Sequence, residues 1–204
     1  KKYIKALISG YYLFYAGLFF LMASCSTTKY VPEDKYLLHD YDFKGEVKNI
    51  DKEDFSAYIK QKPNKKILFF KFHLWLYNLS NEDKDNGFNN WLRSIGEEPV
   101  IYDEFLTEKT TGQLELLLHN KGYYNAEVED SVIKKKHKVR VQYYIEANEP
   151  YRLRKINYEF EDTSLRSLIL QDTINSLLVS GDIYDIDVLS NERERIAEML
   201  KNKG

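Results

Sequence analysis

IYDEFLTEKTTGQLELLLHNKGYYNAEVEDSVI, residues 101–133, reads as a helix that ends at a glycine and passes directly into a strand. Leu114, Leu117 and Leu118 stand at i, i+3 and i+4 on one helical stripe, and Asp103 is a suitable N-cap for it. Gly122 follows Asn120-Lys121, where a helix C-terminus favours a residue able to take positive φ. Beyond it the period becomes two. Tyr124, Ala126 and Val128 are expected on one face, and Tyr123, Asn125 and Glu127 on the other.

The same unit recurs downstream. Ile183-Tyr184-Asp185 falls on Ile101-Tyr102-Asp103 (183 − 101 = 82), and Leu200, Asn202, Lys203 and Gly204 fall on Leu118, Asn120, Lys121 and Gly122. Ile196 and Met199 take the apolar places of Leu114 and Leu117. A match at one fixed offset predicts a duplicated supersecondary unit. Upstream, Tyr158-Glu159-Phe160 echoes Tyr41-Asp42-Phe43 at 158 − 41 = 117, so the first copy carries 117 − 82 = 35 additional residues. That surplus corresponds to an aromatic insert at about residues 64–100.

The chain of 204 residues can hold one large domain or two small ones, and a formal charge of −2 offers no basic field to nucleic acid. Its single cysteine excludes an internal disulfide and a thiolate-rich zinc site. His39, His73, His119 and His137 are scattered without metal-ligand spacing. No nucleophile–base pair or glycine-rich phosphate loop appears, so neither catalysis nor a metal or cofactor is expected. Glu97-Glu98, ahead of Pro99, reads as a solvated turn rather than an acid pair. The run Lys134–Lys138 reads as a solvated turn rather than an anion site.

Lys1, Lys2 and Lys5 precede a charge-free run from Ala6 to Ser24, the outline of an export signal. The run is nearly long enough to span a bilayer, which takes about 20 residues, so an uncleaved anchor helix is the alternative and a cytosolic core helix a third. Leu21-Met22-Ala23-Ser24-Cys25 favours the first reading, because small residues before a lone cysteine resemble a bacterial lipobox. Residues 1–24 are then a signal peptide, and Cys25 is the site of lipid attachment. Acyl chains partition into a bilayer at about 0.8 kcal/mol per buried methylene and would hold the chain there. Residues 25–36 are expected to form the lipidated cysteine and a short extended tether containing Pro32.

Leu37, Tyr41, Phe43 and Val47 are expected on one face of a first strand, and Asn49 or Asp51 can cap a helix through Phe55, Tyr58 and Ile59 that Pro63 ends. Ile67–Leu79 is too short and too polar to cross a membrane. It is either a helix packed on its own sheet or an interfacial, partner-docking helix presenting Phe69, Phe70, Phe72, Trp75 and Leu76. Trp91, Leu92 and Ile95 add another short helix. Tyr123–Ile133 and Val139–Ile145 then form a hairpin about Lys134–Lys138. From Asn148-Glu149-Pro150 a new unit begins, with a strand through Ile156, Tyr158 and Phe160, a short helix capped by Ser164, and the repeated last helix. Its closing strands are missing, so it is expected to be incomplete.

Each unit is therefore strand, helix, helix, strand, strand: an α+β fold with two helices on one face of a three-stranded mixed sheet. The first and third strands are expected to pair, leaving the second on an edge. Along that edge Tyr123, Tyr124, Asn125, Ala126, Glu127, Val128, Glu129, Asp130, Ser131, Val132 and Ile133 can receive another chain's strand by backbone hydrogen bonding.

The βααββ order, the NKGYY exit from the central helix and the PYRLRKINYEF opening of the next unit resemble tandem POTRA domains, a first at 37–148 and an incomplete second at 149–204. The lipobox-like cysteine followed by YVPEDKYLL, the KPNKK plus aromatic insert, and WLRSIGEEPVIYD resemble the lipidated TamA-like (TamL) members of the BamA/TamA superfamily of Bacteroidetes. That resemblance implies a bacterial outer-membrane assembly or translocation factor, periplasm-facing and lipid-anchored. Its POTRA domains would precede a membrane β-barrel, its clients would be outer-membrane proteins, and its partner would be TamB-like or BAM-type. No barrel occurs in these residues, which are expected to be an N-terminal part. The alternative is a single-helix-anchored POTRA protein of the division machinery, similar to FtsQ/DivIB.

Overall fold

Alternation along one strand sets the sheet. On β3 (Lys138–Glu146), Val139, Val141, Tyr143 and Ile145 are buried while Arg140 and Tyr144 are exposed, so one face is covered and the other meets solvent. The computed structural model describes residues 27–161 and 163–203, and the expected signal segment 1–24 and Cys25 lie outside the described residues. Strands β1 (Leu37–Lys44) and β2 (Glu127–Lys135) flank β3 in the order β1-β3-β2. The Leu37 N–H donates to His137 O at 2.9 Å, Arg140 approaches Asp40 at 3.7 Å, and the Phe43 and Tyr143 rings lie 5.8 Å apart. These contacts share one offset (137 − 37 = 100), so β1 runs parallel to β3. The β2–β3 hairpin is antiparallel, and the sheet is mixed. The hairpin turns on Lys136-His137 alone, with Lys136 at φ 54, so Lys134, Lys135 and Lys138 belong to the strands rather than to the expected lysine turn.

Six α-helices complete the described residues: α1 (Lys52–Tyr58), α2 (Phe72–Leu79), α3 (Gly87–Ile95), α4 (Glu104–Asn120), α5 (Thr163–Asp172) and α6 (Ile186–Asn202). The chain divides into two compact units. One contains the chain up to Tyr41, Gln61–Asp103 and Val132–Val141; the other contains Asp42–Lys60, Glu104–Ser131 and everything from Gln142 onward.

In the first of these, Val31, Leu37 and Leu74 are buried together with Ile101 packed against them. The described part of the expected tether, residues 27–36, is held in this fold. Lys29 Nζ donates to Asn78 O at 3.0 Å and Ser80 O at 2.7 Å, and the Tyr30 hydroxyl also donates to Ser80 O. Val31 supplies the apolar reason, since only a docked segment removes it from water. Residues 100–102 run beside the start of β1, with Leu38 N–H donating to Val100 O at 2.8 Å and Tyr102 N–H to Tyr36 O at 2.7 Å. The expected Ile67–Leu79 helix starts only at Phe72, because Ile67 and Phe70 bond to each other across a tight turn.

In the second unit, Asp51 rather than Asn49 caps α1, with the Asp51 N–H donating to the Asp54 carboxylate at 2.8 Å. Asn49 is occupied at φ 63 in a turn bridging Val47 to Ile50, so Val47 lies past β1 instead of on its face. Phe55 of α1 packs on Phe43 at 5.4 Å between ring centroids. Helix α4 ends as its sequence demands. Gly122 takes φ 89, Lys121 N–H donates to Leu117 O at 3.0 Å, and Tyr123 N–H reaches back to Leu118 O at 2.8 Å.

That cap extends further than the period-two pattern suggests. Ala126 N–H donates to Tyr123 O at 3.1 Å, so residues 123–126 form a turn and β2 begins at Glu127. Tyr123 and Ala126 are both buried and Tyr124 is exposed, which overturns the expected faces. Further on, Tyr184 N–H donates to Tyr151 O and Leu153 N–H to Asp182 O, each at 2.8 Å. The expected strand through Ile156, Tyr158 and Phe160 does not form, since no described strand lies beside it to take its backbone groups. Ser164 lies within the first turn of α5 rather than ahead of it.

A candidate edge-strand interface

Strand β2 closes one side of the sheet. The Leu37 N–H bond to His137 O sets its phase: odd residues of β3 turn their backbone groups to β1, and even ones to β2. Across a two-residue hairpin, Lys138 then pairs with Lys135, and each further odd residue of β2 bonds to β3. The backbone groups of Val128, Asp130, Val132 and Lys134 consequently point away from the sheet. Val128 is the only buried side chain on β2, and Val132 is half-buried. Asp130 accepts from the Thr111 hydroxyl at 3.3 Å. The opposite margin differs, because the start of β1 is already paired with residues 100–102.

Of the eleven edge residues expected from sequence, Glu127, Val128, Glu129, Asp130, Ser131, Val132 and Ile133 lie on β2. Tyr123, Tyr124, Asn125 and Ala126 do not. The Tyr123 hydroxyl donates to Lys48 O at 3.1 Å, and burial pushes its pKa up. Asn125 O accepts from the Asn148 side-chain amide at 2.8 Å. Tyr124 stacks on His119 at 5.8 Å and meets Tyr151 edge-on at 5.2 Å. Of these four, Tyr124 meets the next repeat, through Tyr151 and Tyr184.

Sequence reasoning missed the joint between the two repeats, although its landmarks are the residues that revealed the repeat. Lys121 Nζ pairs with Asp187 at 2.8 Å and Asp185 at 3.0 Å. Burial alone would lower the Lys121 pKa, and the two carboxylates outweigh it and raise it. Gly122 O accepts from Tyr151 N–H at 2.8 Å, and a Cβ at Gly122 would sit 2.3 Å from Tyr184 O. Thus the NKG of one copy is covered by the IYD of the next.

The expected interface helix is reorganised. Phe69 is 98% exposed and Leu68 88%, both on the turn ahead of α2, whereas Phe72, Trp75 and Leu76 lie on the helix. Trp75 and Leu76 are half-buried, with Trp75 against Phe70 at 6.2 Å and Phe72 at 5.8 Å. Beside them the buried Lys71 ammonium donates to His39 O at 2.7 Å and Leu38 O at 3.4 Å. Burial, with Lys66 nearby, brings the Lys71 pKa down to about 8, and burial followed by Lys71 lowers that of His39. Among the described residues no group of three or more His, Cys, Asp or Glu is placed to hold a metal, and no helix is long and apolar enough to cross a membrane.

The sequence profile of the POTRA family, described as surface antigen variable number repeat, matches residues 36–148. The chain belongs to the POTRA family. The match takes in 148 − 36 + 1 = 113 of 204 residues, from just before β1 to the end of the β2–β3 hairpin. Four solved chains also match this POTRA chain. They include a crystal structure of Haemophilus influenzae BamA POTRA3-5, at 13% identity and a TM-score of 0.29, covering 86% of this chain and 89% of that one. A likeness at that score adds nothing to the family assignment. No curated protein matches.

Proposed function

We propose that this chain is the periplasm-facing POTRA region of an outer-membrane β-barrel assembly or translocation factor. It is a non-catalytic scaffold that binds outer-membrane clients, or a TamB-like or BAM-type partner, by adding their strands to β2. The observation that carries the reading is the outward-facing row of backbone groups at Val128, Asp130, Val132 and Lys134 on a POTRA sheet. Such a row accepts an extended segment with little demand on its sequence, as a factor handling many clients requires. Residues 37–148 form one POTRA domain of the array and 149–204 belong to another. An acylated Cys25 attaches the array to the membrane, and palmitate label that disappears in Cys25→Ala is the expected result.

The edge is tested by Asp130→Pro with Val132→Pro. Both lose N–H groups that point away from β3, so the hairpin ladder is spared. Binding of an unfolded outer-membrane β-barrel client, measured by fluorescence anisotropy, is expected to weaken about tenfold, the equivalent of two backbone hydrogen bonds. Unchanged affinity in a variant with a native circular dichroism spectrum would remove the mechanism.

A further inference from the structure

We infer that the turn Ile67–Phe70 is a wedge that inserts into the surface of a phospholipid bilayer. Two reciprocal backbone bonds close it, Ile67 N–H to Phe70 O at 2.9 Å and Phe70 N–H to Ile67 O at 3.1 Å. Leu68 and Phe69 stand at its tip, and Phe69 is the most exposed large apolar residue described. Leu68 holds φ 57, at a place in a two-residue turn where glycine is usual. A leucine at positive φ is strained, and its side chain, 88% exposed, gains little packing among the described residues to offset that. Strain combined with exposure points to a surface outside the chain.

The base of the turn is rigid. Lys71 is buried and bonded to two carbonyls of β1, and Phe70 and Phe72 both pack on Trp75. The rim is basic: Lys62, Lys65 and Lys66 are exposed just before the turn, with Asp40 paired to Lys66 at 2.8 Å and the Glu97 carboxylate taken by the Lys65 N–H at 3.0 Å. Apolar side chains at a tip with lysines behind them suit acyl chains beneath anionic headgroups. A protein partner would need about 1,000 Å² of complementary surface, which a two-residue tip does not present.

The chain outside the described residues supports the same occupant. Its charge-free run ends at Ser24-Cys25, and Lys29 is pinned to the C-terminal end of α2 through Asn78 O and Ser80 O. Cys25 is four residue steps from Lys29, at most about 14 Å of extended chain, and α2 itself is about 12 Å long. An acyl anchor on Cys25 therefore keeps the turn within reach of the bilayer; this step rests on the lipid-anchor reading above.

The experiment uses the full lipidated chain in vesicles of phosphatidylcholine and phosphatidylglycerol, with an environment-sensitive NBD probe on Phe69→Cys and, separately, on Asp83→Cys. Acylation blocks Cys25, the chain's one cysteine, so each variant carries a single free thiol. The probe at 69 is expected to shift to the blue and to lose most of its emission to lipids brominated in their acyl chains, and the probe at 83 to do neither. A probe at 69 that stays in water on bound vesicles, or is shielded only when a protein partner is added, overturns the wedge. Should palmitate fail to label the chain, the anchor reading falls alone, and the same quenching in a Cys25→Ala background decides the wedge.

Discussion

Thr110 on α4 and Glu192 on α6 occupy the same place in two copies of one supersecondary unit, 192 − 110 = 82 residues apart. Both are buried, at 0% and 3% exposure. Each accepts a backbone N–H from a residue just after a short helical segment: Lys60 is two past the end of α1, and Leu177 is two past the single 3-10 turn Thr173–Asn175 that follows α5. Lys60 donates to Thr110 Oγ1 at 3.1 Å, and Leu177 to Glu192 at 2.9 Å. Those donors are 177 − 60 = 117 apart, the offset at which Tyr158-Glu159-Phe160 echoes Tyr41-Asp42-Phe43. What the copies share is a backbone N–H satisfied by a buried side chain of the next helix, and the side chain that does so is free to differ.

The difference has consequences. Thr110 passes its own proton to Leu106 O at 2.8 Å and needs nothing more. A buried carboxylate requires a counter-charge. Arg195 supplies it at 2.8 and 3.0 Å while also reaching Asp172, and its hydrogen bonds hold Glu192 below the ordinary carboxylate range. The same pair of landmarks locates the insert. From Lys60 to Ile101 is 41 residues and from Leu177 to Ile183 is 6, and 41 − 6 = 35.

The comparison is broken most severely where one copy carries the next. Gly122→Ala puts a Cβ against Tyr184 O on a left-handed residue, and a loss of about 4 kcal/mol is expected in chemical denaturation. Hydrogen exchange should localise the damage to the Tyr151 and Tyr184 amides, and retained protection there would refute the joint.

Glu192→Ala leaves the Leu177 N–H unsatisfied and Arg195 short of a partner, at an expected cost of about 3 kcal/mol, whereas Thr110→Val is expected to cost only about 1.5 kcal/mol. Glu192→Gln separates them by pH. A carboxyl whose folded pKa is depressed stabilises above its unfolded value, and that stabilisation disappears as pH falls through the folded pKa. The stability gap between wild type and Glu192→Gln should therefore close in acid, while that of Thr110→Val stays level. Parallel curves would mean that the charge contributes nothing.

Lys71 belongs to the insert and has no counterpart in the second copy. Its pKa of about 8, against 10.5 for a free lysine, means that the unfolded chain binds an extra proton between those values. Stability is thus expected to rise modestly from pH 8 to pH 10.5 in wild type and not in Lys71→Met, as followed by urea midpoints.

The strongest local signals in the sequence were accurate. Leu114, Leu117 and Leu118 lie on a buried helical stripe, Gly122 ends that helix with positive φ, Asp51 caps α1, and Val139–Ile145 alternates as written. The failures occur where two local rules compete or where a partner lies far along the chain. Tyr123–Ala126 obeys the period of a strand but is used up by the helix cap. Ile156–Phe160 has the composition of a strand and no described strand beside it. Residues 29–31 have the composition of a tether, yet they are held by carbonyls about 50 residues away.

By itself the sequence determined the Leu114–Leu118 stripe, its cap at Gly122 and the alternation of Val139–Ile145, because periodicity and capping are contests within a turn or two of chain, whereas the mixed sheet and the place of β2 on its margin followed from the βααββ order and the family it resembles. Only the tertiary structure decided that the margin starts at Glu127, that NKG and IYD form a joint, and that Phe69 is left in solvent. Burial and unpaired backbone groups depend on which distant segments arrive, and no local pattern carries that information.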